Sequence, residues 1–259
     1  MATPLDQAAE ELNRLRLARA TTDELDATLQ PAGIAEAYEI QDRMIRLTGQ
    51  RPAGWKVGAT SGVIQDKLGV SEPIAGPLYE QSMFPAPAEL AAAEFSHHAI
   101  ECEFAFRIGR SLAVGDGPYT LEAVASVVEA VVPAIELISP VFETALGGHF
   151  PSRVADGAMS AGIVVGAATA VDGAPDLRDA AVALSVDGAE VASGRGADVL
   201  GDPREALVWI ANHLKSRGRT LDAGMLVSTG TMTGLVHLEP GQTAEADFGR
   251  FGRVSVRFA

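Results

Sequence analysis

The run Ala99-Ile100-Glu101-Cys102-Glu103-Phe104-Ala105-Phe106-Arg107-Ile108 constrains this chain more than any other ten residues. Ile100, Cys102, Phe104, Phe106 and Ile108 alternate with Glu101, Glu103, Ala105 and Arg107. A period of two predicts a half-buried β-strand with one apolar face. Glutamate is a poor strand former. Two of them nevertheless share the polar face, about 6.5–7 Å apart along the strand. Either that face is solvated, or something cationic draws the two carboxylates together.

Glu136 favours the second reading. It stands in Val131-Val132-Pro133-Ala134-Ile135-Glu136-Leu137-Ile138, apolar on both sides. A carboxylate in such a run is expected to be buried, and a buried charge needs a partner. No lysine or arginine lies between Arg110 and Arg153. One cation would serve all three acids, and an all-carboxylate donor set suits Mg²⁺, Mn²⁺ or Ca²⁺.

The 259 residues allow one large domain, or a small one with a larger one, and 47% hydrophobic residues allow a sizeable core. A formal charge of −14 argues against nucleic acid and against anionic lipid as partners. The single cysteine, Cys102, rules out an internal disulfide framework; on the apolar face of its strand it reads as a packed residue. The N-terminus lacks a basic region followed by a long apolar run. No stretch approaches the roughly 18 uncharged apolar residues of a membrane span. A cytoplasmic, soluble protein is the expectation.

Residues 5–20 and 34–48 have apolar side chains at helical spacing, so 1–52 is expected to be a helical segment and 53–259 a β-rich domain. Ser61 is placed to cap a helix over 62–68, and the Pro- and Gly-rich stretch from Gly69 to Pro87 reads as loop. A helix is expected from Thr120 to about Val131. Asp187-Gly188 between two alternating runs predicts a hairpin. Asp202 followed by Pro203 predicts a capped helix that stops near Gly218. The fold class is α+β, dominated by sheet.

In chain order, Gly54-Trp55-Lys56-Val57-Gly58-Ala59-Thr60-Ser61, Glu101-Cys102-Glu103, Ala134-Ile135-Glu136 and Ala155-Asp156-Gly157-Ala158-Met159-Ser160-Ala161 resemble the fumarylacetoacetate hydrolase superfamily. More narrowly, they resemble its 2-keto-4-pentenoate hydratase and 4-oxalocrotonate decarboxylase branch. Gly201-Asp202-Pro203-Arg204, Thr229-Gly230 and Ala246-Asp247-Phe248-Gly249 extend the likeness over nearly the whole chain. The resemblance implies a mixed β-roll or distorted barrel with a small helical N-terminal segment. It implies a divalent metal, Mg²⁺ or Mn²⁺, on Glu101, Glu103 and Glu136, and a small 2-oxo acid as substrate. It also implies a homo-oligomer and metal-dependent hydration of a 2-hydroxy-2,4-dienoate. The alternatives are decarboxylation of a 2-oxo-3-enedioate, cleavage of an acylpyruvate, or a non-catalytic paralogue.

Lys56 is the candidate proton carrier. Asp156 is either a turn acid or a site residue, and Ser160 either a packing residue or a substrate-side hydroxyl. Thr229, Gly230 and Thr231 form either an ordinary turn or a cradle for a substrate carboxylate. His97 and His98 read as packed or solvated rather than ligating. The chain departs from the family at Glu72-Pro73-Ile74-Ala75-Gly76, where Ile74 replaces the usual Asp, and Glu72 or His98 are candidates to stand in for it. A substrate with a second carboxylate would need a further cation, for which Arg107, Arg153 and Arg195 are candidates.

Overall fold

A computed structural model describes residues 2–113, 115 and 117–259. The chain opens with helices α1 (Pro4–Ala18) and α2 (Ile34–Thr48), then β1 (Gly54–Gly58), α3 (Gly62–Leu68), β2 (Ile74–Leu78), β3 (Met83–Pro85) and β4 (Ala88–Leu90). The long strands β5 (Ala99–Ile108) and β6 (Val128–Ile138) flank the short helix α4 (Leu121–Ala125). Helix α5 (Phe150–Ala155) leads to β7 (Ser160–Val165), β8 (Thr169–Ala170) and the hairpin β9 (Ala181–Val186) and β10 (Ala189–Arg195). After α6 (Pro203–Ser216) come β11 (Leu226–Ser228), β12 (Val236–His237), β13 (Thr243–Asp247) and β14 (Arg253–Phe258).

These strands form two mixed sheets, which makes the class α+β as expected. The larger runs β2-β1-β11-β5-β6-β7-β3, with β12 on β5 and β8 on β6; the smaller runs β10-β9-β13-β14-β4. Phe104 of β5 ties them together, its ring 5.2 Å from that of Phe248 and 5.1 Å from that of Phe251. Leu12 and Ile40 of the two N-terminal helices share one apolar core with Phe104 and Phe106. Gln41 fastens α2 to the sheet, donating from Nε2 to the carbonyls of Ala75 (2.8 Å) and Val154 (2.6 Å).

Helix capping follows the sequence signals. The side chains of Ser61 and Asp202 accept from Ile64 N and Arg204 N, and Pro203 occupies the first helical turn. Three expectations are corrected. The stretch from Gly69 to Pro87 is not all loop, because it holds β2 and β3. As the edge of its sheet, β2 tolerates Pro77. Gly76 is required there, since a Cβ would collide with the backbone of Gly157. The helix after Thr120 ends at Ala125, because the β-branched Val127, Val128, Val131 and Val132 favour a strand. Finally, β5 is not half-buried: Glu103 and Ala105, on the face read as polar, are as inaccessible as Phe104.

Candidate active site

Four neighbouring strands, β1, β11, β5 and β6, bring the site together. Antiparallel pairing sets Glu101 directly opposite Glu136, with Glu103 two residues further along and opposite Ala134. Alternation then puts all three side chains on one face of the sheet. One oxygen of each lies within 4.8 Å of the others. Glu103 and Glu136 are fully buried and Glu101 is partly accessible.

Like charges this close repel, and burial compounds the cost. Burial, then the neighbouring Glu136, pushes the Glu101 carboxyl up to about 7, against the pull of Lys56. Glu103 is raised well above the carboxylate range by burial, Glu136 and Glu101, opposed by hydrogen bonds from Ser228 and Gly230. The Ser228 hydroxyl and the Gly230 N–H (2.8 Å) both donate to Glu103 Oε2. That leaves Glu103 Oε1 and Glu136 Oε2 buried without a partner, and Glu136 Oε1 with only the Lys56 ammonium beside it. Buried acceptors on Glu103 and Glu136, with an oxygen of Glu101 within 4.8 Å of them, fit one hard divalent cation, which favours all-oxygen ligands.

The triad predicts a pH dependence for the metal-free protein. A carboxyl whose folded-state pKa lies near 7 rather than the ordinary 4.5 contributes stability that is present below 4.5 and lost as pH rises through 7. Glu101→Gln should therefore match wild type at pH 5 and unfold several degrees higher at pH 8. Thermal melts in a chelator would check this, and a difference that stays constant with pH would contradict it.

Lys56, 2% exposed, reaches the site from β1. Its Nζ lies 3.3 Å from Glu136 Oε1. It pairs in register with Ser228 of the parallel strand β11, and Ser228 pairs with Ala105 of β5, which places Lys56, Ser228 and the triad on one face. Lys56 and Glu101 line a cavity of 160 Å³, together with Thr60, Ile74, Met159 and Thr231. Ala59 and Met159 line it with left-handed backbones, φ 54° and 71°, which non-glycine residues seldom adopt.

The other candidates are distributed more widely. Asp156 is fully buried but engaged by Arg16, whose Nε lies 2.5 Å from Oδ1, and by Val141 N at 2.9 Å. Ser160 has an unpartnered buried hydroxyl and lines a separate cavity of 240 Å³ against α1 and α2. Of the turn residues, Thr229 donates its hydroxyl to the Phe104 carbonyl, Gly230 serves Glu103, and Thr231 lines the 160 Å³ cavity. Glu72 accepts from Trp209 Nε1 (3.1 Å), and the ring nitrogens of His97 and His98 meet the carbonyls of Phe142 and Ala92. None of these three lines the cavity, so the apolar Ile74 has no acidic replacement from them there. Sequence reasoning missed Ser228; its signal is the alternation that sets it opposite Val227 on β11, in register with Lys56.

The family model described as "Fumarylacetoacetate (FAA) hydrolase C-terminal" matches residues 71–259. The chain is 32% identical over 258 residues to a 2-keto-4-pentenoate hydratase of Paraburkholderia xenovorans (strain LB400), covering 98% of this chain and 94% of the relative. It is 34% identical over 225 residues to a 4-oxalocrotonate decarboxylase of a Pseudomonas species, covering 86% of each. The solved structure of the 4-oxalocrotonate decarboxylase from Pseudomonas putida G7, complexed with magnesium and adipate, superposes with a TM-score of 0.90 at 28% identity, covering 98% of this chain and 97% of that one. The chain belongs to the fumarylacetoacetate hydrolase family, beside its 2-keto-4-pentenoate hydratases and 4-oxalocrotonate decarboxylases.

Proposed function

We propose that this protein is a divalent-metal-dependent hydratase of 2-hydroxy-2,4-dienoates. The observation that carries the reading is the cluster of orphaned oxygens on Glu103 and Glu136, joined by Glu101 and faced by Lys56. Glu101, Glu103 and Glu136 would hold the ion, with Mg²⁺ or Mn²⁺ the expected occupant. When bound, the ion supplies positive charge that draws electrons from a 2-oxo group and offsets the charge of its enolate. By formal count, three carboxylates, Lys56 and a dication sum to zero, which leaves the site ready for one substrate carboxylate.

Net hydration adds one water: its hydroxyl goes to C4 of the dienoate, and its proton and that of the 2-hydroxyl end on C3 and C5, leaving a 2-oxo group. A group must hold and return such a proton. Lys56 Nζ is the group this chain offers, held next to Glu136 and away from bulk water. Ser228 and the Gly230 N–H fix the orientation of Glu103. Thr231 contributes a hydroxyl to the cavity wall.

The experiment is an ultraviolet assay of the purified protein with 2-hydroxypenta-2,4-dienoate. Absorbance of the diene should fall when Mg²⁺ or Mn²⁺ is present and stop on chelation, with a 4-hydroxy-2-oxo acid as product. Loss of carbon dioxide, or cleavage of an acylpyruvate in place of hydration, would replace this reading with one of its alternatives.

A further inference from the structure

Apart from Glu101, Lys56, Asp198 and the hydroxyls of Thr60, Ser61 and Thr231, the 160 Å³ cavity is lined by apolar residues. Ile64, Leu68, Ile138, Leu146 and Leu235 form much of its wall, and Ile74 stands close to Lys56 across Gly58. Ile64 and Leu146 are 36% and 43% exposed. A single exposed apolar side chain is ordinary. Two that meet on the wall of one small apolar cavity extend its greasy lining to the surface.

Among the described residues Lys56 is the only basic side chain lining this cavity, and it already faces Glu136. Among the described residues Asp198 is the only charged lining residue besides Lys56 and Glu101, and it is an exposed acid. The arginines that could have met a second substrate carboxylate are elsewhere. Arg153 is buried against Glu24 (2.6 Å) and the ring of Phe142. Arg195, whose backbone N–H donates to Asp198, lines a neighbouring surface groove that shares Asp198 with the cavity, but not the cavity wall itself. Arg107 is not part of the cavity wall.

We propose that this end of the cavity selects the substrate's tail, accepting a short, uncharged, apolar one and rejecting a second carboxylate. The proposal rests on the hydratase reading for the head of the substrate, a 2-oxo or 2-hydroxy acid held at Glu101 and Lys56. Beyond the hydroxyls of Thr60, Ser61 and Thr231, the tail then has the apolar wall and Asp198 to meet, and no cation. A carboxylate placed among Leu68, Ile138 and Leu235 loses its water without gaining a cation. Placed near Asp198, it meets a like charge. The specificity-determining residues are therefore Leu146, Ile64 and Asp198, and the structure assigns the chain to monoacids rather than diacids. The small volume agrees with a short tail, since sites for drug-sized ligands span about 300–1,000 Å³.

Binding and turnover test the two readings separately. The Mg²⁺-loaded protein is titrated calorimetrically with 2-oxopentanoate and with 2-oxohexanedioate, saturated acids that cannot be hydrated. The diacid should bind at least about 10²-fold more weakly, the scale on which uncompensated polar groups discriminate. Leu146→Arg should narrow that gap by about tenfold or more and Asp198→Asn by less; Ile64→Lys replaces Leu146→Arg if the latter does not fold. In parallel, kcat/KM is measured for 2-hydroxypenta-2,4-dienoate and 2-hydroxyhexa-2,4-diene-1,6-dioate. Equal affinity, or tighter binding of the diacid, overturns the tail selection whatever the turnover. A retained preference for the monoacid with no hydration of either dienoate upholds the tail selection and removes the hydratase reading. Binding of neither acid overturns both.

Discussion

Lys56→Ala should lower kcat by about 10²–10⁴-fold, the usual contribution of a positioned acid or base, while Mg²⁺ affinity is kept. Lys56 is 2% exposed, between the buried Trp55 and Val57, with its ammonium 3.3 Å from Glu136. Truncation deletes the proposed proton carrier and one positive charge but leaves Glu101, Glu103 and Glu136 in place. Removing a competing cation from beside Glu136 does not weaken a metal there. Calorimetric Mg²⁺ titration and the ultraviolet assay separate the two effects. Lys56→Arg adds the discriminating arm: it keeps the charge but scarcely releases a proton near neutral pH. It should stay nearly as slow as Lys56→Ala. Near wild-type turnover in Lys56→Ala would reduce Lys56 to an ion-pair partner of Glu136.

Arg16→Leu should cost about 3–5 kcal/mol, the scale for stripping one partner from a buried ion pair. Arg16 donates to the carboxylate of Asp156 and to the carbonyls of Asp156 and Ser160, so it staples the turn that follows α5 to helix α1. Asp156 is fully buried. Burial raises its carboxyl, and Arg16, the Val141 N–H and Arg153 hold it down against that. Arg16 itself is 28% exposed, so water softens the loss and the lower end of the range applies. At about 2–4 °C per kcal/mol for a chain near this size, the melting temperature should drop by roughly 10 °C. Asp156→Asn in the same protein should restore part of it, because an amide tolerates the buried position without a charge. A melting temperature within about 2 °C of wild type in Arg16→Leu would show that Asp156 is held by its other contacts.

What the sequence made legible was local. Asp202 and Pro203 announce α6, Asp187-Gly188 announces the turn between β9 and β10, and the spacing of Glu101 and Glu103 announces two acids on one face. Each of those signals lies within a few residues of what it specifies. The partners that complete the site lie far away in the chain. Ser228 and Gly230 meet Glu103 across 125 and 127 residues, and Arg16 meets Asp156 across 140. Nothing in the neighbourhood of Arg16 marks it as the partner of a buried acid. The edge strand β2 was hidden because its Gly76 and Pro77 are turn residues in most contexts, and only its position at the rim of the sheet makes the proline acceptable. The burial of Glu103 was hidden for a related reason. Alternation reports two faces, but not that other elements cover both.

The parallel pairing of β1 with β11 has a consequence for how the protein is made. Gly54 to Lys56 lie beside Leu226 to Ser228, so the strand that carries Lys56 gains this neighbour only once synthesis has passed Ser228, about 170 residues later. Until then β1 has only β2 beside it in the sheet, and β5 lacks β11 between itself and β1. Closing so long a loop is entropically costly, and topologies that depend on it fold slowly. A ribosome-bound chain ending before Leu226 can therefore bring Glu101 and Glu136 together on the β5–β6 pair, but it cannot set Lys56 in register with Ser228. The acidic half of the site precedes the basic half in time, and the emerging chain carries its cluster of acids before Lys56 is docked beside it.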